Sequence, residues 1–463
     1  MLTLAITLVA FFLLISLIVA IHEGGHYLAS VLCNVKVLRF SIGFGKILFS
    51  KKLGKDQTEF LLSALPLGGY VKPLEKNSMD KALWDALPET DKIRSYDSAP
   101  RWKKIIIVAG GPLANFVLAL AVYFLLFAGL GLKGMAPAID EVIPESISAK
   151  AGLHSGQIIE AINGERMVTA NEAYGALANL AVSQGQVNIR TNDGSIHLLD
   201  FSNIELAKME HNFGQMLGIY FQGPRGKILV EFVEPNSIAE KAGLQKDDII
   251  IQAGKYENPT LGQIIRTIQA AAGKEVDYKI ERAGSAPLTI SVIPEHKMEQ
   301  GVEVGKIGIK FKPADQVAWD AQFAEQRYDL SSAAIKSIAK VEEVTNSTLQ
   351  SILKLATGQI SVKSLSGPIA IADYAGQAAQ RGLQVYLYFM AAISIAVGVF
   401  NLLPIPMLDG GLLIQYTIES IIRREIPEKA QRAFQFVGLT MLASLFSFAM
   451  YNDINKMLLS WLN

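Results

Sequence analysis

MLTLAITLVAFFLLISLIVAIHEGGH, residues 1–26, is the stretch on which the fold turns. Residues 1–21 carry no ionisable side chain, and only Thr3, Thr7 and Ser16 interrupt the aliphatic and Phe residues. At about 1.5 Å of rise per residue, such a helix reaches across a hydrocarbon core of about 30 Å. The same helix then delivers His22, Glu23 and His26. Ionisable groups at that depth are costly and mark function. A spacing of four puts both imidazoles on one helix face, and Glu23 lies beside them. Two histidines and an adjacent carboxylate in this pattern bind a metal and supply a general base for hydrolysis. A cleaved signal peptide fits poorly, because no basic residue precedes the run and no small-x-small site follows it.

Composition narrows the choices. The chain has 463 residues, half of them hydrophobic, with 43 basic and 43 acidic side chains. Balanced charge argues against nucleic-acid binding. The single cysteine, Cys33, rules out an internal disulfide framework and a Cys-based structural zinc site.

Further apolar runs lie at about 105–130, 384–408 and 433–451, giving four spans. The segment 34–104 holds 14 Lys or Arg against 8 Asp or Glu, and Arg423, Arg424, Lys429 and Arg432 precede the fourth span. Positive residues stay on the cytoplasmic side, which places both termini and the long segment 132–383 outside. The His pair then belongs to the cytoplasmic half of the membrane. The expected order is a first transmembrane helix with the metal motif (1–33), a cytoplasmic or membrane-reentrant β region (34–100), a second helix (101–131), two soluble domains (132–221 and 222–313), and a helical segment with an amphipathic gate (314–383). A third helix carrying an Asp motif (384–411), a cytoplasmic connection (412–432) and a fourth helix (433–459) complete it.

The two soluble domains are a duplication. Val142 to Leu153 (VIPESISAKAGL) recurs 91 residues later as Val233 to Leu244 (VEPNSIAEKAGL), and Ile158-Ile159 recurs as Ile249-Ile250. Ser146 and Ser237 are placed to cap short helices that end at Gly152 and Gly243. The signature resembles PDZ domains of the bacterial protease type, which take an extended peptide as an added strand. A tandem serving only as a steric filter matches the sequence equally well.

A catalytic zinc site needs three protein ligands. Asp409, in Asn401-Leu-Leu-Pro404-Ile-Pro406-Met-Leu-Asp409-Gly-Gly, is the only charged residue between Arg381 and Glu419. Alone it reads as a helix N-cap; beside an intramembrane His pair it reads as the third ligand. Glu23 is the expected base, and Asn401 a side-chain donor to substrate or oxyanion. A substrate helix hides its carbonyls and must be unwound before hydrolysis. Pro404 and Pro406 supply non-helical backbone, and residues 40–73, with Gly43-Phe44-Gly45 and a polar turn at 51–57, read as an apolar β-hairpin whose edge holds extended substrate. Gly110-Gly111-Pro112 permits close helix approach, and Asn115 follows as a hydrogen bonder near the site. Ser366-Gly367-Pro368 to Arg381 reads as an amphipathic lead-in to the third span.

Taken together, the His22–His26 motif, Gly43-Phe44-Gly45, Pro66 to Val71 (PLGGYV), Gly110 to Phe116 (GGPLANF), the duplicated signature, Ser366 to Ile369 and Asn401 to Gly411 resemble the site-2 protease family of intramembrane metalloproteases over nearly the whole chain. The resemblance implies a polytopic α-helical membrane protein with four transmembrane helices, a membrane-associated β-hairpin, and two α+β PDZ domains inserted between helices two and three. It implies one zinc ion per chain held by His22, His26 and Asp409, with Glu23 as base. Asn401, Pro404, Pro406, Gly43, Phe44, Gly45 and Asn115 are then expected around the substrate. It also implies a bacterial inner-membrane enzyme that cuts single-span proteins, typically an anti-sigma factor shortened outside by a first protease, and that clears remnant signal peptides. One departure is local: Leu412 follows Gly411 where relatives often carry His. The competing expectation is a non-catalytic, zinc-stabilised scaffold that recruits partners through its PDZ domains. A metal transporter fits less well, since the spans offer a single acidic ligand.

Overall fold

The computed structural model describes residues 2–182, 185–202, 214, 216–299, 302–358 and 367–462, and its chain forms two compact units, 1–131 with 327–462, and 132–326. Ser366 of the expected lead-in lies outside the described residues.

The first unit is built on helices α1 (Leu2–Leu32), α2 (Arg101–Phe124), α3 (Leu330–Ala356), α4 (Pro368–Gln380), α5 (Leu383–Leu402), α6 (Asp409–Ile422) and α7 (Glu428–Leu462). Four stretches, Leu4–Leu32, Arg101–Leu130, Leu383–Leu402 and Lys429–Asn455, are long and apolar enough to cross a membrane. Their outward residues are apolar too: Leu13, Val117, Phe434, Phe436 and Val437 are all exposed, as a lipid-facing surface requires. α1 and α2 meet backbone to backbone, because Gly25 and Gly110 face each other with no side chain between them.

The third span ends just before the prolines that interrupt its apolar run. α5 stops at Leu402, and residues 403–408 run as irregular backbone to a new helix that opens at Asp409. Pro404 and Pro406 have no N–H to continue the ladder, and each disfavours helical backbone in the residue before it. The helix expected to run to 411 is therefore broken, and the connection expected over 412–432 is largely α6.

Between the first two spans, strands β1 (Val37–Leu53) and β2 (Thr58–Pro73) form an antiparallel ribbon. Both strands bend. Arg39 to Ile42 pairs on one side with Glu59 to Leu62 and on the other with Gly69 to Lys72, which leaves Gly69–Pro73 along an outer edge. The bend in β1 falls at Gly43 and Gly45, whose φ of +88° and +86° are conformations that glycine adopts without strain.

The second unit contains the duplicated modules. In the first, Ile139–Val142 pairs with the closing strand Ile219–Phe221, and Ile159–Ile162, Gln186–Thr191 and Ile196–Asp200 build a sheet against the helix Ala170–Val182. In the second, Ile228–Val233 pairs with the closing strand Ile309–Pro313, in a sheet that runs through Ile249–Ala253, Val276–Glu281 and Leu288–Val292, with the helix Leu261–Ala270. The repeat spacing predicts the caps correctly: Ser146 Oγ accepts from Ala149 N at 3.2 Å and Ser237 Oγ from Glu240 N at 3.2 Å. Each module has its own core, centred on Ile159, Leu177 and Ile189 in one and on Val230, Ile264 and Ile280 in the other. The unit extends past 313: Ala324–Gln326 pairs back onto Leu132–Gly134, and Trp319 packs on the second core, so residues 314–326 belong here and not with the helices that follow.

Asp248 is fully buried in the second module and takes two bonds from Arg282, at 2.7 and 2.8 Å. Arg282→Ala leaves that buried carboxylate without its counter-charge, holding only the Gln245 N–H at 2.8 Å, a change that costs about 3 kcal/mol. Denaturant unfolding of the full-length chain should show that loss in the second unit; a midpoint shift worth under about 1 kcal/mol would contradict it.

Candidate metal centre

Three side chains from two helices converge on one point. α1 supplies His22 and His26, one turn apart, with ring centroids 4.9 Å apart. α6 supplies Asp409 as its first residue; its N-cap is Leu408, so Asp409 is not a capping residue. His22 Nε2 lies 3.2 Å from Asp409 Oδ2, His26 Nε2 lies 3.5 Å from it, and the two Nε2 atoms are 3.3 Å apart. Among the described residues, these three form the one cluster of metal-binding side chains.

The donor set meets the demand of a tetrahedral cation. Ligands held at about 2.0–2.1 Å around zinc are separated from one another by about 3.3 Å. His26 Nδ1 donates to the carbonyl of Ile107 at 2.9 Å, which leaves a lone pair on Nε2. That lone pair faces Asp409 Oδ2, a buried oxygen that forms no hydrogen bond among the described residues. Converging lone pairs repel unless a cation lies among them, so the residues fit zinc.

α2 forms the wall behind the imidazoles. Ile107 fixes one ring, and Gly111 gives both of them room. A Cβ at 111 would lie 2.3 Å from His26 Nε2 and 2.8 Å from His22 Nε2. Asn115, one turn further on, is fully buried, with its side-chain amide 3.2 Å from His22 Nδ1. It therefore faces the back of His22 and not an open cleft.

Glu23 lies between the histidines and the ribbon. A Cβ at Gly69 would stand 2.9 Å from the Glu23 Cγ, and Val71 follows two residues further along the same edge. The outer edge of the ribbon thus runs beside the carboxylate.

The remaining expected residues are spread around this centre. Gly43 is buried at the ribbon's bend, Phe44 is exposed and stacks on Tyr70 at 6.4 Å, and Gly45 is exposed. Asn401 ends α5 with its Nδ2 donating to Val397 O at 3.0 Å. Pro404 is exposed and Pro406 partly so in the irregular link to Asp409.

Sequence patterns gave no hint of how α6 is anchored. Tyr96 Oη donates to Tyr416 Oη at 3.2 Å, and Lys104 Nζ lies 5.4 and 5.7 Å from the two ring centroids. Burial pushes the Tyr96 hydroxyl well above its ordinary range, so the pair stays neutral. Glu419, one turn on, is buried and meets Arg101 at 3.8 Å. The aromatic residues and charges stand two and three turns beyond Asp409 and hold its helix against α2.

Comparison with known proteins agrees with this architecture. The model for peptidase family M50 matches residues 10–445. The Regulator of sigma-E protease RseP of Escherichia coli is 31% identical over 97% of this chain and 98% of its own. A Vibrio cholerae protein named as a zinc metalloprotease is 33% identical over 97% and 98%, and one from Neisseria meningitidis with the same description is 35% identical over 98% and 99%. With four apolar helices, a bent ribbon and a His–His–Asp cluster already in view, a match along almost its whole length decides the matter: the chain belongs to peptidase family M50, the site-2 protease family that its motifs resemble.

Proposed function

We propose that this zinc metalloprotease hydrolyses peptide bonds inside the transmembrane segment of single-span membrane proteins. The observation that carries the reading is the cluster of His22, His26 and Asp409, in which both histidines stand on a helix long and apolar enough to cross a bilayer. His22, His26 and Asp409 are the residues that would hold the metal. When bound, zinc supplies Lewis acidity at the scissile carbonyl and charge stabilisation as that oxygen becomes anionic. Glu23 takes a proton from the attacking water and returns it to the leaving amine.

The ribbon supports a route for substrate. A helical segment offers no free carbonyl, whereas a strand added along Gly69–Pro73 lies extended beside Glu23. With one Nδ2–H on the Val397 carbonyl, Asn401 keeps its second N–H and its Oδ1 for substrate.

The duplicated modules are PDZ domains in this reading. The positive-inside pattern puts them and both termini in the periplasm of a bacterial inner membrane, with the metal centre towards the cytoplasmic side. There they screen substrates by size, or bind a peptide end. The relative from E. coli is named for sigma-E regulation. By that likeness, the substrate here is an anti-sigma factor trimmed by an earlier extracytoplasmic cut, together with remnant signal peptides.

The test is the full-length chain in proteoliposomes with a single-span reporter, and mass spectrometry of the products. The expected cut lies within the apolar segment, and Asp409→Asn should lose both the cut and about one zinc per chain. Cleavage confined to residues outside the apolar segment, or full zinc content in Asp409→Asn, would overturn the reading.

A further inference from the structure

The two histidines of the centre are held from behind in different ways. His26 Nδ1 meets the Ile107 carbonyl, which can only accept, so its tautomer follows from backbone geometry alone. His22 Nδ1 meets the side-chain amide of Asn115 at 3.2 Å, a group that presents a donor from one end and an acceptor from the other.

Asn115 has no exposed surface. Its backbone carbonyl accepts from Ser394 Oγ at 2.9 Å, so α5 helps to pin it in place. The amide stands with its nitrogen towards the ring, while Oδ1 is buried without a hydrogen-bond partner. With the nitrogen facing His22, Nδ1 must accept, the ring proton moves to Nε2, and Nε2 has no lone pair for a cation. With Oδ1 facing His22, Nδ1–H donates and Nε2 is bare. One rotation about the Cβ–Cγ bond exchanges the two arrangements, and among the described residues no donor holds Oδ1 away from the ring.

We propose that Asn115 is a positioning residue whose Oδ1 accepts from His22 Nδ1–H, fixing the tautomer that turns a bare Nε2 towards His26 and Asp409. The inference rests on the reading of His22 as a zinc ligand. It separates the two histidines: one depends on a main-chain oxygen that no substitution removes, the other on a single side chain.

The experiment measures zinc affinity by chelator competition on the full-length, detergent-solubilised protein. Asn115→Leu keeps the volume and removes the acceptor, and should weaken zinc binding by about 10- to 100-fold. Asn115→Asp offers an oxygen in either orientation and should stay within a few-fold of wild type. Wild-type affinity in Asn115→Leu, or equal weakening in both variants, overturns the proposal. Nitrogen-15 spectra of His-labelled, zinc-loaded wild type need no variant: a protonated Nδ1 on His22 is expected, and a protonated Nε2 overturns it. His22→Ala is measured alongside, and wild-type affinity there would overturn the metal-centre reading itself.

Discussion

Glu23→Gln is expected to lower hydrolysis by about two to four orders of magnitude while the protein keeps its zinc and its melting temperature. The substitution changes little in shape. Gln has the same length and branching, so the packing of its Cγ against Gly69 at the ribbon edge survives. His22, His26 and Asp409 keep their spacing, since their positions rest on α1, α2 and α6 and not on Glu23. What is lost is the ability to carry a proton from water to the leaving amine. A purified variant incubated with a single-span reporter, with zinc measured on the same sample, separates the roles. Cleavage within tenfold of wild type would remove Glu23 from the chemistry. Loss of zinc together with cleavage would show instead that Glu23 builds the centre.

How much of this was legible in the sequence follows the range of the physics. The spans were readable, because an uncharged run of about twenty residues has few other fates. The caps at Ser146 and Ser237 were readable for the opposite reason: a cap is decided within four residues. The break at Leu402 was signalled by Pro404 and Pro406, but its consequence was not, since whether the chain resumes as helix or loop depends on what it packs against. The outer ribbon edge beside Glu23 needs a pairing register that no local pattern encodes, because Arg39 to Ile42 pairs on both sides. The Ile107 carbonyl is invisible in a sequence for a simpler reason: every residue has a carbonyl, and only the fold says which one meets His26.

Gly111→Ala should empty the centre of zinc and take cleavage below detection, although helix propensity alone predicts a gain of about 1 kcal/mol. The added methyl would stand 2.3 Å from His26 Nε2 and 2.8 Å from His22 Nε2, well inside contact distance. Relief by helix separation is obstructed, because α1 and α2 are already locked through Gly25 and Gly110. Relief by turning the rings breaks the His26 bond to Ile107 and carries both nitrogens away from Asp409. Steric exclusion at the metal outweighs the small backbone gain, so the sign reverses. Gly24→Ala is the control, at the third position of the HEGGH motif, where a Cβ meets nothing within 4 Å among the described residues. It should be neutral or slightly stabilising and keep full zinc. Metal content after dialysis against a chelator distinguishes the two, and full zinc in Gly111→Ala would mean that the wall behind the imidazoles is softer than the backbone contacts require.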